Sequence, residues 1–237
     1  MTSEPTEHLQ RAHLRRHLPP ALLAAANDRV HGASEIATRA IEGLLEVAAR
    51  GDPELLEAGA ATLLAGQPAM APVWHVAMAA RQPDPVRALA ALTRRLGEET
   101  EAAARTAAAW LREHAAGPVR TVSESSLVGL TLRRLAEVAT EPGKRADEAP
   151  VGLVGADAIG PVELLNATGT AGLAAAMPTI VVATSIKLVP AAVFERLAAP
   201  GFERIPRERF AAVVLGAEVM DPAEAGRRAA AIRTLGE

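Results

Sequence analysis

The sequence predicts an α/β protein in which a helical N-terminal domain, residues 1–117, precedes a small α/β domain, residues 118–237, with a parallel sheet of about four strands. Three observations carry this expectation. Apolar residues recur at the helical period from about residue 20 to 116, whereas short continuous apolar or β-branched runs begin at Val119. Helical stretches separate most of those runs, as in parallel strands buried on both faces. The hydrophobic fraction of 49% comes mostly from Ala, Leu and Val with only 2% aromatics, which suits closely packed helices.

In "SEIATRAIEGLLEVAARGD", Ile36, Ile41, Leu44, Leu45 and Ala48 share one helical face, with Ser34 as the expected N-cap and Gly51 as the stop. "DPELLEAGAATLLAG" begins with Asp52 as cap and Pro53 in the first turn, and "DPVRALAALTRRLG" repeats the device with Asp84 and Pro85. "GQPAMAPVW" reads as a proline-bounded corner with Met70 and Trp74 turned inward. "EETEAAARTAAAWLREHAAGP" is a long helical arm ending at Gly117 and Pro118, where the domain boundary is placed. The strand candidates follow as "PVRTVS", "PVGLVGAD", "PTIVVATS" and "RFAAVVLGAE".

Composition excludes several functions. A net charge of -3 gives no global basic field for nucleic acid or an anionic membrane. The absence of cysteine removes disulfides, thiolate metal sites and cysteine chemistry. His8, His13 and His17 lack an accompanying carboxylate cluster, so no metal is expected. "GLVGAD" lacks the G-x-G-x-x-G spacing, so no dinucleotide cofactor is expected either. The N-terminus has no apolar signal core and the longest apolar run is too short to cross a bilayer, which reads as a cytoplasmic protein.

Ligands of open parallel sheets bind beyond the carboxyl ends of the strands. Those ends carry Thr121, Ser123, Ser125 and Ser126, then Asp157, then Thr184, Ser185 and Lys187, and finally Glu218. Asp157 follows a wholly apolar run, and Lys187 is one of only two lysines against 23 arginines. In "NATGT", Gly169 permits a tight turn, and Thr168 or Thr170 can cap the next helix while its free N–H groups face an anion. "DRVHGAS" joins two helices through His31 and Gly32, as a hinge with a cap or as a ligand contact.

The fragments "DRVHGASEIATRA", "QPAMAPVW", "TVSESSLVGLTL", "GADAI" followed by "NATGT", "TSIKLVP" and "FERIP" resemble, in this order, one known family. It comprises the translation initiation factor 2B alpha, beta and delta subunits together with methylthioribose-1-phosphate and ribose-1,5-bisphosphate isomerases. The resemblance implies a homodimer of helical and Rossmann-like domains, with sugar phosphates or nucleotides held between the domains. It also implies that isomerases of the family pair a cysteine with the GAD aspartate. Asp157 matches the aspartate, whereas Ser123 stands at the cysteine position, Ala167 replaces a lysine in the N-K-x-G-T pattern, and two strand-helix units are missing before GAD. The expected function is therefore that of a regulatory or catalytically reduced member that binds a phosphorylated sugar or nucleotide in the cleft between the domains. Asp157 would take a hydroxyl; Lys187, Gly169 and Thr170 the phosphate; and His31, Gly32, Ser34, Ser125 and Asn166 would complete the site. Alternatives are an aldose-ketose isomerase using Asp157 with Glu218 or Ser123, and a structural subunit of a hetero-oligomer.

Overall fold

The structure, a computed structural model, describes residues 13–122, 125–138 and 149–233. The chain packs as two compact units, one of residues up to 68 with 72–95 and one of 69–71 with 96 onward. The compositional change at Gly117 and Pro118 marks a different point, the first strand at Val119.

Helices α1 (Pro20–Asn27), α2 (Ala33–Ala49) and α3 (Pro53–Gly66) form the heart of the first unit, with α4 (Ala71–Ala80) and the start of α5 (Pro85–His114). Leu22, Ile36, Ile41, Leu44 and Leu63 are fully enclosed there. Each such side chain contributes roughly 1.5–3 kcal/mol by leaving water. Glycines let α1 come close: a Cβ on Gly43 would lie 2.8 Å from Leu22 Cβ, and one on Gly66 would lie 2.3 Å from the Ala26 carbonyl oxygen. Asp52 caps α3 by accepting the Leu55 N–H at 2.9 Å, and Asp84 accepts the Arg87 N–H at 3.0 Å at the start of α5, as the two Asp-Pro pairs predict. Ser34 does not cap α2. The N-cap is Gly32, without a side-chain bond, and Ser34 lies inside the first turn.

The second unit is built on a five-stranded sheet in the order β1, β2, β5, β7, β8. Strands β1 (Val119–Arg120), β2 (Val151–Val154), β5 (Thr179–Ala183) and β7 (Ala212–Leu215) are parallel, matching the expected four. The fifth strand, β8 (Glu218–Met220), returns antiparallel to β7 through a turn at Gly216. Alternate residues divide the core: Leu153, Ile180, Val182, Ala212 and Val214 pack toward α5 and α6 (Ser126–Val138). Val154, Val181, Ala183, Val213 and Leu215 face the opposite way. There they meet a second, antiparallel sheet of β3 (Ala158–Ile159), β4 (Glu163–Ala167) and β6 (Phe202–Pro206) with α7 (Thr170–Ala176) and α9 (Pro222–Ala230). A short helix, α8 (Ala191–Phe194), precedes β6. Both sheet faces are thus covered, which is why the strands read as continuous apolar runs.

Candidate functional site: a carboxylate beside a buried ammonium at the strand ends

Asp157 sits three residues beyond β2, where the chain leaves the main sheet for β3. Its backbone is pinned on both sides: its N–H donates to the Leu165 carbonyl at 2.9 Å, and its carbonyl accepts the Ala71 N–H at 3.0 Å. Lys187 closes a single 3-10 turn, Ser185–Lys187, after β5. Beyond that turn, Leu188 forms a parallel bridge with Ile159, and the Val189 N–H donates to the Ile159 carbonyl at 3.0 Å. The segments Asp157 to Ile159 and Lys187 to Val189 therefore run side by side, which brings the two charged residues together.

Lys187 is only 6% exposed. Among the described residues neither side chain has a hydrogen bond or an ion pair within 4 Å, although their charges act on one another. Burial pushes the Asp157 carboxyl above its ordinary value, with Lys187 pulling it partly back. Burial pushes the Lys187 ammonium down, with Asp157 opposing. Desolvation is the larger influence on both, so each is held toward its neutral form. Such a pair can donate and accept hydrogen bonds with a polar ligand at little cost in reorganisation.

The other expected residues divide. Ser125 lies at the start of α6, accepting the Gly129 N–H at 2.8 Å, and its hydroxyl would be 3.1 Å from a Cβ on Gly155, two residues before Asp157. It therefore backs the end of β2. Ser123 lies outside the described residues. Asn166 is buried, and its amide donates to the Thr170 hydroxyl at 3.0 Å, which in turn donates to the Ala167 carbonyl at 2.7 Å. Both side chains are committed to the turn itself, and neither threonine caps α7. Gly169 is the N-cap, at φ 104, a conformation that favours glycine. The N–H groups expected to face a phosphate are already occupied: Glu203 Oε1, on β6, accepts from Gly169 N at 3.0 Å and Ala171 N at 2.8 Å. A carboxylate of the protein fills this cradle.

Glu218 is exposed and paired with Arg228, with Nη2 at 2.7 Å and Nη1 at 3.2 Å from its two oxygens. The hydrogen bond from Arg228 holds its carboxyl below the ordinary value. Strand β8 is three positions across the sheet from β2, about 14 Å at the usual strand spacing, so the structure does not bring Glu218 to Asp157.

His31, Gly32 and Ser34 belong to the first unit. Asp28 organises their turn by accepting the N–H groups of Val30 at 2.8 Å and His31 at 3.0 Å, His31 Nδ1 at 2.7 Å and Arg39 Nη1 at 2.9 Å. Because a carboxylate only accepts, the proton of the neutral His31 ring is on Nδ1. Nε2 is then free to accept from Arg39 Nη2 at 3.2 Å. Burial alone would raise the Asp28 carboxyl, but the backbone donors of His31 and Val30 and the His31 ring outweigh it and bring it to about 2. A depressed carboxyl stabilises the fold above its unfolded value of 3.8, and that stability is lost as pH falls toward about 2. Asp28→Ala is expected to destabilise the protein by about 1–3 kcal/mol at neutral pH, and to remove this part of the acid dependence in denaturant titrations repeated down the pH scale.

Glu99 and Glu203 carry no mark in the sequence, whereas Thr184, expected at a strand end, is buried there with its hydroxyl oxygen unpartnered among the described residues. Glu99 Oε2 accepts from Ser185 N at 2.6 Å and Oε1 from Ser185 Oγ at 2.7 Å across 86 residues of chain. No spacing rule links positions that far apart, and a glutamate on an amphipathic helix reads as a solvated face.

No protein-family model and no curated protein matches the sequence. Solved structures do. Translation initiation factor eIF-2B of Pyrococcus horikoshii OT3 aligns with a TM-score of 0.69 at 19% identity, over 87% of this chain and 99% of that one. The tetrameric eIF2B beta2-delta2 complex from C. thermophilum gives 0.68 at 14%, over 97% and 99%. The eIF2B beta subunit of Chaetomium thermophilum gives 0.68 at 13%, over 94% and 93%. At these identities the likeness establishes the fold: an α/β chain of the eIF2B type. Among the described residues, no helix is long and apolar enough to cross a membrane.

Proposed function

We propose that the chain is an initiation factor 2B-like module that binds a phosphorylated sugar or a nucleotide and acts by binding or regulation. The observation that carries this reading is the juxtaposition of the half-buried Asp157 and the buried Lys187, two ionisable side chains without hydrogen-bond partners among the described residues, at the ligand end of a parallel sheet. In this reading Asp157 takes a sugar hydroxyl and Lys187 a phosphate oxygen, while Gly169 and Thr170 shape the turn without contacting the anion. Isothermal calorimetry with ribose phosphates and nucleoside monophosphates is the test. Saturable heat that is lost in Asp157→Ala supports the proposal, and no heat with any of them removes it.

A second reading, an aldose-ketose phosphate isomerase, draws on the same carboxyl, which burial keeps toward its acid form, as proton transfer near neutral pH requires. The chain has no cysteine to share the task. Lys187, held toward its neutral amine, is the base this reading would use. Deuterium incorporation from solvent into ribose 1,5-bisphosphate would support it; absence of exchange across a panel of aldose phosphates would exclude it. We also propose a homodimer; the C. thermophilum neighbour is named as a tetrameric beta2-delta2 complex, which supports assembly into oligomers. Native mass spectrometry giving a monomer at micromolar concentration would contradict that.

A further inference from the structure

The binding role of Lys187 depends on where its stem leaves the backbone, and that is set by the turn Ser185–Lys187. The turn is closed by only two backbone bonds: Lys187 N donates to the Thr184 carbonyl at 3.0 Å and Leu188 N to the Ser185 carbonyl at 3.1 Å. Thr184, although fully buried, contributes no side-chain bond, because its hydroxyl oxygen has no partner among the described residues. A further hold comes from outside. Glu99 on α5 takes both the N–H and the hydroxyl of Ser185, at 2.6 and 2.7 Å, as two charge-assisted hydrogen bonds. Its own stem rests on the β7 to β8 turn, where a Cβ on Gly216 would lie 3.7 Å from Glu99 Cγ. That turn is tied in turn to β5 by Gly216 N donating to the Ala183 carbonyl at 3.1 Å. Glu99 thus bridges the ends of β5 and β7 at the residue where Lys187's turn begins.

We infer that Glu99 is a positioning residue for Lys187: by clasping Ser185 it fixes the turn that directs the lysine stem toward Asp157. This rests on the binding role assigned to Lys187 above. Asp157 is the charged group that acts on the Lys187 ammonium, so Glu99 works through geometry and not through its own charge.

The chain's two lysines, Lys144 and Lys187, make the test direct. With isotope-labelled lysine, NMR follows both side-chain nitrogens through a pH titration without any ligand. In Glu99→Ala the loosened turn admits water, and the Lys187 midpoint moves up toward that of an ordinary lysine while Lys144 stays in place. Glu99→Gln restores the wild-type curve, because its carbonyl oxygen still accepts the Ser185 N–H and its amide donates to the Ser185 hydroxyl. Ser185→Ala, which removes one of the two bonds, gives a smaller upward shift and carries the test if Glu99→Ala does not fold. An unchanged Lys187 midpoint in folded Glu99→Ala, or in Ser185→Ala should Glu99→Ala fail to fold, overturns the inference. So does a Glu99→Gln curve displaced as far as that of Ala, which would assign the effect to charge. Failure of sugar phosphates to bind would defeat the proposed function and leave this result standing, so the two are separable.

Discussion

Replacing Asp157 with Asn and Lys187 with Met in one variant is expected to stabilise the protein by about 1–4 kcal/mol at neutral pH, the range seen when buried ionic groups give way to packed neutral ones. The same change should weaken any sugar-phosphate binding at least about tenfold, or about 1.4 kcal/mol. The stability gain follows from the directions of the two shifts. The Asp157 carboxyl is raised, so the folded state keeps a proton that the unfolded state has lost above 3.8, and folding is penalised as pH rises through the folded value. The Lys187 ammonium is lowered, so the folded state has given up a proton that the unfolded state keeps up to 10.5, and folding is penalised as pH falls through the folded value. The double variant escapes both. Its advantage should shrink below pH 3.8, where Asp157 becomes neutral in both states, and above pH 10.5, where Lys187 becomes neutral in both. Urea melts across the pH range measure this, and a double variant less stable than wild type at pH 7 would show that the pair supports the fold. Residues that lower stability where they stand are ones a binding role can account for.

The second large effect concerns Glu203. It supplies one oxygen to two N–H groups at the start of α7, favoured both as a charge-assisted acceptor and by the positive end of the helix. Glu203→Ala leaves Gly169 and Ala171 without this acceptor at the β4 to α7 turn and is expected to destabilise by about 1–3 kcal/mol. Glu203→Gln keeps an oxygen but loses the charge, and should fall about 1 kcal/mol or less below wild type. Thermal melts should rank wild type first, then Gln, then Ala. An Ala variant melting with wild type would mean that the amides find equivalent partners in water.

The sequence made the architecture legible because its physical signals are local. Asp-Pro pairs start α3 and α5, and continuous apolar runs from Val119 onward become strands covered on both faces. The second sheet carries no comparable signal, because Ala158–Ile159 is only two residues long and Glu163–Ala167 runs straight into the turn at Gly169. Glu218 reads as the end of a strand, but Gly216 turns the chain first and makes it the start of the next strand. Within the site, Asp157 and Lys187 stood out because each breaks a local pattern: a carboxylate after an apolar run, and a lysine in an arginine-rich chain. The clasps made by Glu99 and Glu203 had no such mark, since each depends on contacts between distant segments. His31 drew notice as a hinge or ligand contact, and the carboxylate organising it, Asp28, lies three residues upstream in the same quoted stretch.

The account stands on one claim, that Asp157 and Lys187 together receive a phosphorylated sugar or nucleotide. Lysine-selective NMR of the wild-type protein titrated with ribose 5-phosphate and, separately, with adenosine monophosphate tests it most directly. The expected result, with at least one of the two, is a saturable displacement of the Lys187 nitrogen signal that leaves Lys144 in place and disappears in Asp157→Asn. A Lys187 signal that ignores both compounds, or that moves equally in the Asn variant, would contradict the account.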